Sequence, residues 1–182
     1  MSSLKHYPVR QPKDLKLTLV AEEKVIFIEK DKNRFIFPIP PSGISYTPEE
    51  KKIWIVQCQK KSKAFFGLYK ILLGQVLLGV LFSYRRQLNI VGIGYQASIE
   101  KEKTDNILVL KLGYSHLVRL QVPSSLQISC PKPRVIVIKG INLQRVSNFA
   151  QAIRRCRVPS TYKEKGIYLL GEQLRLKQGK KT

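Results

Sequence analysis

The sequence predicts an α+β chain made of two tandem, duplicated domains, residues 1–83 and 84–182, each a small and mostly antiparallel sheet packed with one helix. Three observations carry this. Sliding the chain against itself by 83 positions aligns Pro40 with Pro123, Ser42 with Ser125, Pro48 with Pro131, Ile53 with Ile136, Ile55 with Ile138 and Phe66 with Phe149, without a gap. Apolar positions follow in the same register: Val25 with Leu108, Phe27 with Leu110 and Ile39 with Val122. The order of elements also repeats: apolar strand, turn, strand ending in proline, short strand, proline turn, β-branched strand, amphipathic helix. Self-similarity at one fixed offset marks duplication of a structural unit.

In the first unit the helix is read from Ser62, Phe65, Phe66, Tyr69, Leu72 and Leu73, with Lys60, Lys61 and Lys63 leading in. The apolar run from Ile71 to Phe82 then predicts a buried helix passing into a buried strand. Extended back to Ala64 the run reaches membrane-spanning length, but Lys70, Gln75 and two central glycines interrupt it, and a span wants roughly 20 clean apolar residues. The stretch from Arg85 to Ala97 predicts an extended link whose glycines allow close backbone packing. Gly92-Ile93-Gly94 does not open a helix, so it is no dinucleotide fingerprint.

In the second unit, 106–112 and 116–122 are strands flanking the turn Gly113-Tyr114-Ser115. Leu126–Ser129 and Val135–Ile138 are two more, separated by Cys130-Pro131-Lys132-Pro133, whose prolines argue against one continuous central strand. A helix runs from about Asn142, its N-cap, to Arg155. Val146, Phe149, Ala150 and Ile153 form its buried face at i, i+3, i+4, i+7 spacing, while Arg145, Asn148, Gln151 and Arg155 face elsewhere.

Charge narrows the function. Lys and Arg number 33 against 12 Asp and Glu, a net charge of +21 that opposes compaction unless a polyanion neutralises it. The first unit holds 14 basic and 7 acidic residues, net +7, and the second 19 and 5, net +14. From Asn106 to Lys163 there are ten Lys or Arg and no acid, whereas an ordinary solvated surface mixes both signs. With 43% hydrophobic residues the chain can still fold. Arg154, Arg155 and Arg157 at a helix end, Pro159, Tyr162, then Lys163 and Lys165 and the tail Lys177, Lys180 and Lys181 form a grip for phosphates in several directions. Structured RNA is the partner this predicts.

Other chemistry finds little support. Cys58, Cys130 and Cys156 are widely spaced, with only His6 and His116 to help, so neither a disulfide framework nor a zinc site is predicted and the thiols read as free. Acids occur singly or as the surface pairs Glu22-Glu23 and Glu49-Glu50, no Walker loop or HExxH spacing is present, and His116 has no nucleophile near it in sequence. The first eight residues lack the apolar core of a secretory signal. The expectation is a chain without catalytic residues, metal or cofactor.

Four ordered motifs add to this reading. They are Leu88-Asn89-Ile90-Val91-Gly92-Ile93-Gly94-Tyr95-Gln96-Ala97, then Leu112-Gly113-Tyr114-Ser115-His116, then Val137-Ile138-Lys139-Gly140, then Ile153-Arg154 through Arg157, Pro159, Tyr162-Lys163 and Lys165-Gly166-Ile167, with Gly171-Glu172 and a basic close. On these residues the chain resembles the bacterial-type large ribosomal subunit protein L six family, densely from Leu88 to Lys181 and thinly before Leu68. Glu164 stands where the family has a loop glycine, Leu117 where proline usually follows the histidine, and Tyr168 where a basic residue is common. The N-terminus lacks the family's usual opening. This drift, with the high charge, resembles an organellar member from the mitochondrial matrix rather than one from a bacterium or plastid.

The resemblance implies two related α+β domains, the second being the main rRNA-binding half. It implies a structural constituent of the large subunit, near the sarcin-ricin loop and stalk base, among neighbouring large-subunit ribosomal proteins and close to docking translation factors. The residues expected on rRNA are Tyr114, Ser115, His116, Arg154, Arg155, Arg157, Tyr162, Lys163, Lys165, Lys177, Lys180 and Lys181. Recognition is expected to read shape and phosphates. The competing expectation is a basic protein held on an anionic membrane surface through residues 64–82.

Overall fold

Short runs of β-branched and apolar residues, broken by glycine, proline and polar turns, fold the described residues into two helices and a set of small antiparallel sheets. The computed structural model describes residues 9–12, 14–20, 25–30, 33–38, 44–47, 52–55, 63–101 and 106–177. The chain divides into two compact units, Met1–Ser83 and Tyr84–Thr182.

The first unit contains β1 (Val9–Arg10), β2 (Lys16–Val20), β3 (Val25–Lys30), β4 (Asn33–Pro38), β5 (Ile44–Thr47), β6 (Lys52–Ile55) and the helix α1 (Lys63–Phe82). The second contains β7 (Tyr84–Val91), β8 (Gln96–Lys101), β9 (Asn106–Lys111), β10 (Val118–Gln121), β11 (Leu126–Lys132), β12 (Val135–Gly140), α2 (Leu143–Cys156) and β13 (Gly166–Leu169). Sheet orders are β1-β6-β5 and β2-β3-β4 in the first unit, and β11-β12-β7-β13 and β10-β9-β8 in the second. Apart from β13 these are the same two sheets in the same order. Ile53 on β6 and Ile136 on β12, aligned by the offset, are both buried.

Alternation sets the second core. On β7 Leu88 and Ile90 point inward, and they pack with Leu108, Leu110, Ile136 and Ile138 from the neighbouring strands. The helix α2 adds Val146, Ala150 and Ile153 to this core, with Phe149 packed against it half-buried rather than fully enclosed. Each aliphatic side chain removed from water contributes about 1.5–3 kcal/mol. The Asn142 side chain caps α2 by accepting from the backbone N–H of Gln144 (2.9 Å) and Arg145 (3.3 Å). Arg145, Asn148, Gln151 and Arg155 are exposed.

Three elements differ from expectation. The stretch 85–97 is two strands, β7 and β8, joined by a tight turn, because Gly94 takes φ +72 and Gly92 lets the chain fold onto the Tyr95 ring. Strand β11 runs on through Pro131. It is an edge strand with a register shift between Ser129 and Lys132, the setting in which a missing N–H is tolerated.

The run 71–82 stays helical to its end. Ser83 at φ +52 accommodates the helix stop, its N–H donating to the Gly79 carbonyl (2.9 Å), and the Lys30 ammonium donates to the Leu81 carbonyl (3.4 Å). One side of α1 buries Leu73, Val76, Leu77 and Val80, while Leu68, Ile71, Leu78 and Phe82 are exposed. Tyr69 is half-buried with its ring edge-on to Phe37, centroids 6.3 Å apart. The side chains of Ser62, Phe65 and Phe66 lie outside the described residues.

Candidate nucleic-acid interface

Three of the four sequence motifs meet at Tyr95. This ring is buried, and a Cβ built at Gly92 would stand 2.5 Å from it and one at Gly113 2.9 Å. Only glycine at both positions lets the β7–β8 turn and the loop 113–117 close on one ring. Arg157, following α2, adds the third motif: its guanidinium is held above its ordinary value, first by the neighbouring Tyr114 side chain and then by Tyr95. The Val137–Gly140 motif contributes packing instead, since a Cβ at Gly140 would lie 2.7 Å from Leu126 and 2.9 Å from Val146.

On this base stands the first cluster of expected site residues. Tyr114 donates its hydroxyl to the Cys156 carbonyl (3.1 Å), fixing its ring to the end of α2. The Arg157 guanidinium lies over that ring at 4.7 Å, and the His116 imidazole is stacked on it with centroids 5.9 Å apart and planes inclined by 17°. Tyr114, Ser115 and His116 are all exposed. The arrangement sets two stacked rings of the loop beside a cation from the end of α2, the chemistry that takes bases and phosphates together.

The second cluster is a closed loop. Pro159 is buried against Gly166, where a Cβ would meet the Pro159 Cα at 2.5 Å. The Ser160 N–H donates to the Lys165 carbonyl (3.0 Å), the Glu164 N–H to the Ser160 carbonyl (3.1 Å) and the Ile167 N–H to the Arg157 carbonyl (3.0 Å). Tyr162, Lys163, Glu164 and Lys165 occupy its exposed tip. The Lys177 N–H donates to the Thr161 carbonyl (3.2 Å), which brings the exposed tail cation beside the loop. Glu164 sits at φ +56, a left-handed conformation that favours glycine, and its carbonyl accepts from the Tyr168 hydroxyl (2.7 Å).

Arg154 is drawn into a different role from Arg155. Its guanidinium forms a forked pair with Glu172, Nε to Oε2 at 3.1 Å and Nη2 to Oε1 at 2.5 Å. Glu172 also accepts from the Leu169 N–H (3.1 Å). Its carboxyl is held below the usual value, first by the hydrogen bond with Arg154, against the upward push of burial and with help from Leu169. Arg155 is exposed one residue on. Sequence reading missed Glu172 as this partner because it lies 18 residues away. Lys180 and Lys181, and Cys58, lie outside the described residues. Cys130 and Cys156 are free and half-buried, and burial pushes both thiols up.

Comparison with known proteins covers the same ground. A model of the family Ribosomal protein L6 matches residues 91–168, the span that holds the Tyr95 junction and both clusters up to Tyr168. The large ribosomal subunit protein uL6 of Thermosipho melanesiensis is 44% identical over 123 residues, which span 68% of this chain and 65% of that protein. The uL6 protein of Alkaliphilus metalliredigens is 35% identical over 99% of this chain and 98% of its own. That of Fervidobacterium nodosum is 32% identical over the whole of both chains. With end-to-end relatives at this identity, the chain belongs to the Ribosomal protein L6 family.

Proposed function

We propose that this protein is a structural constituent of the large ribosomal subunit, binding large-subunit rRNA near the sarcin-ricin loop and stalk base and supporting translation without catalysis of its own. Neighbouring large-subunit proteins are its other partners, and translation factors dock nearby. The supporting observation is the closed loop 160–165, which holds Tyr162, Lys163 and Lys165 at an exposed tip beside Lys177, in a unit of net charge +14. A pre-formed cationic loop grips phosphates with little ordering cost.

Replacing Lys163 and Lys165 by Gln leaves folding intact, because both side chains are exposed. Affinity for large-subunit rRNA falls, and the slope of log K against log salt flattens by up to about 0.9 per lost duplex phosphate contact. Gln144→Ala with Gln151→Ala, both exposed and uncharged, is the control. Unchanged affinity and slope in the double Lys variant would remove the loop from the interface. The high charge and the drift from the bacterial pattern favour a mitochondrial ribosome as the location, and fractionating cells and locating the chain among mitochondrial, plastid and bacterial subunits tests it.

The exposed apolar side of α1 favours a second reading, attachment to an anionic membrane surface. Among the described residues no helix is long and apolar enough to cross a membrane. Flotation of the chain on anionic liposomes without RNA would support that reading, and co-sedimentation with large subunits supports the ribosome.

A further inference from the structure

A cleft of about 470 Å³, lined in part by the Tyr95 that also underlies the first cluster, opens between the β7–β8 turn and the β11–β12 turn. Its size falls in the range of sites that hold small ligands, about 300–1,000 Å³. Two backbone hydrogen bonds fix its walls, Ala97 N–H to the Pro133 carbonyl and Ile90 N–H to the Arg134 carbonyl, both 2.8 Å. Tyr95, Pro133 and Val135 line it with apolar surface, and Gln96 brings a side-chain amide that can both donate and accept. Lys132 and Arg134, both exposed, lie at its rim on either side of Pro133 in the chain. No acid lines it.

We infer that this cleft is a second RNA site, seating one unpaired nucleotide with its base against the apolar wall and its flanking phosphates on Lys132 and Arg134. The inference rests on the rRNA-binding reading and deepens it. Three features single out a nucleotide. An apolar wall with a cationic rim is the arrangement that holds single-stranded nucleic acid, by packing against the base face and attracting the backbone. Cations at positions i and i+2 straddle the wall, as phosphates straddle a nucleoside. The amide of Gln96 offers a base edge the hydrogen bonds that an apolar peptide side chain does not use. An acidic protein segment would engage the cations and leave that amide and the wall without a matched partner.

The test uses the full chain and naked large-subunit rRNA. Lys132→Gln with Arg134→Gln flattens the salt slope by about 1.4, at about 0.7 per single-stranded phosphate. Gln96→Trp, an exposed position on β8, fills the cleft and lowers affinity by about fivefold or more, the value of one stacked base, without changing the slope. If the Lys132/Arg134 variant or the Gln96 variant binds as the unmodified chain does, while the Lys163/Lys165 variant is weakened, the chain is an rRNA binder and the cleft is not part of its grip. If the unmodified chain itself does not bind rRNA, the proposed function fails and this inference with it. A photo-crosslinking residue at position 96 in assembled subunits is expected to mark a nucleotide, and a protein adduct would overturn the assignment.

Discussion

The two units share one topology, and among the described residues their helices present different outer faces. In both, the first strand of the unit pairs with the strand just before the helix, and a three-stranded meander forms a second sheet. The helices nevertheless face solvent differently. Helix α2 turns Arg145, Asn148, Gln151 and Arg155 outward, whereas α1 exposes Leu68, Ile71, Leu78 and Phe82. What duplication preserved is the inner pattern, with Ile53 matching Ile136. What diverged is the surface, because outward positions are free of the packing that fixes the core. Fold was therefore carried by buried periodicity, and the function proposed here rests on the exposed residues of one copy.

The comparison breaks first at the cores. Leu73→Ala in α1 and Ile153→Ala in α2 each remove a fully buried side chain, and each is expected to cost about 2–5 kcal/mol by urea unfolding. A cost below about 1 kcal/mol at Leu73 would show that α1 does not anchor its unit as α2 anchors the other.

Glu172 sharpens the second unit. Its carboxyl titrates below the ordinary 4.5, so the stabilisation from the Arg154 fork is complete above that value and fades as pH falls through the lowered one. Glu172→Gln is expected to cost about 1–2 kcal/mol at neutral pH and to flatten the pH dependence of stability below about 4.5. Equal acid sensitivity of both proteins would show that the fork contributes nothing to folding.

At Glu164 the expected effect is smaller. The left-handed backbone costs a side chain about 1 kcal/mol, and glycine gives part of that back as chain entropy. Glu164→Asn, which tolerates φ > 0 better, should therefore raise stability by up to about 1 kcal/mol and strengthen rRNA binding by removing an acid between Lys163 and Lys165. A loss of melting temperature in this variant would place the loop's strain elsewhere.

The outer side of α1 should be the least sensitive site. Ile71→Lys with Leu78→Lys changes exposed positions and is expected to shift stability by no more than about 0.5 kcal/mol. A large destabilisation would reveal that this face is packed in the free protein.

Much of the fold was legible because it is local. Helix α2 announced its cap at Asn142 and its buried stripe, and the hairpin around Gly113 announced its turn. The end of α1 was hidden, since a serine in a left-handed conformation and a lysine reaching in from β3 leave no sign in the run of leucines that precedes them. Pro131 misled for a similar reason: whether a strand tolerates proline depends on its place at the edge of a sheet, which sequence spacing does not state. Site residues divided along the same line. The exposure of Lys163 and Lys165 follows from a short basic loop, while the capture of Arg154 by Glu172 and of the Tyr114 hydroxyl by Cys156 are long-range contacts.

Strand β13 has a consequence beyond the interface. β7 is eight residues long, and from Leu88 to Val91 its outer side is covered by β13. Without that cover it would present a row of open backbone donors and acceptors, the template on which foreign strands add and chains aggregate. The first unit has no counterpart of β13 among its described residues. A chain interrupted before Gly166 would therefore lose Ile167 from its core and open the margin of β7 from Leu88 to Val91.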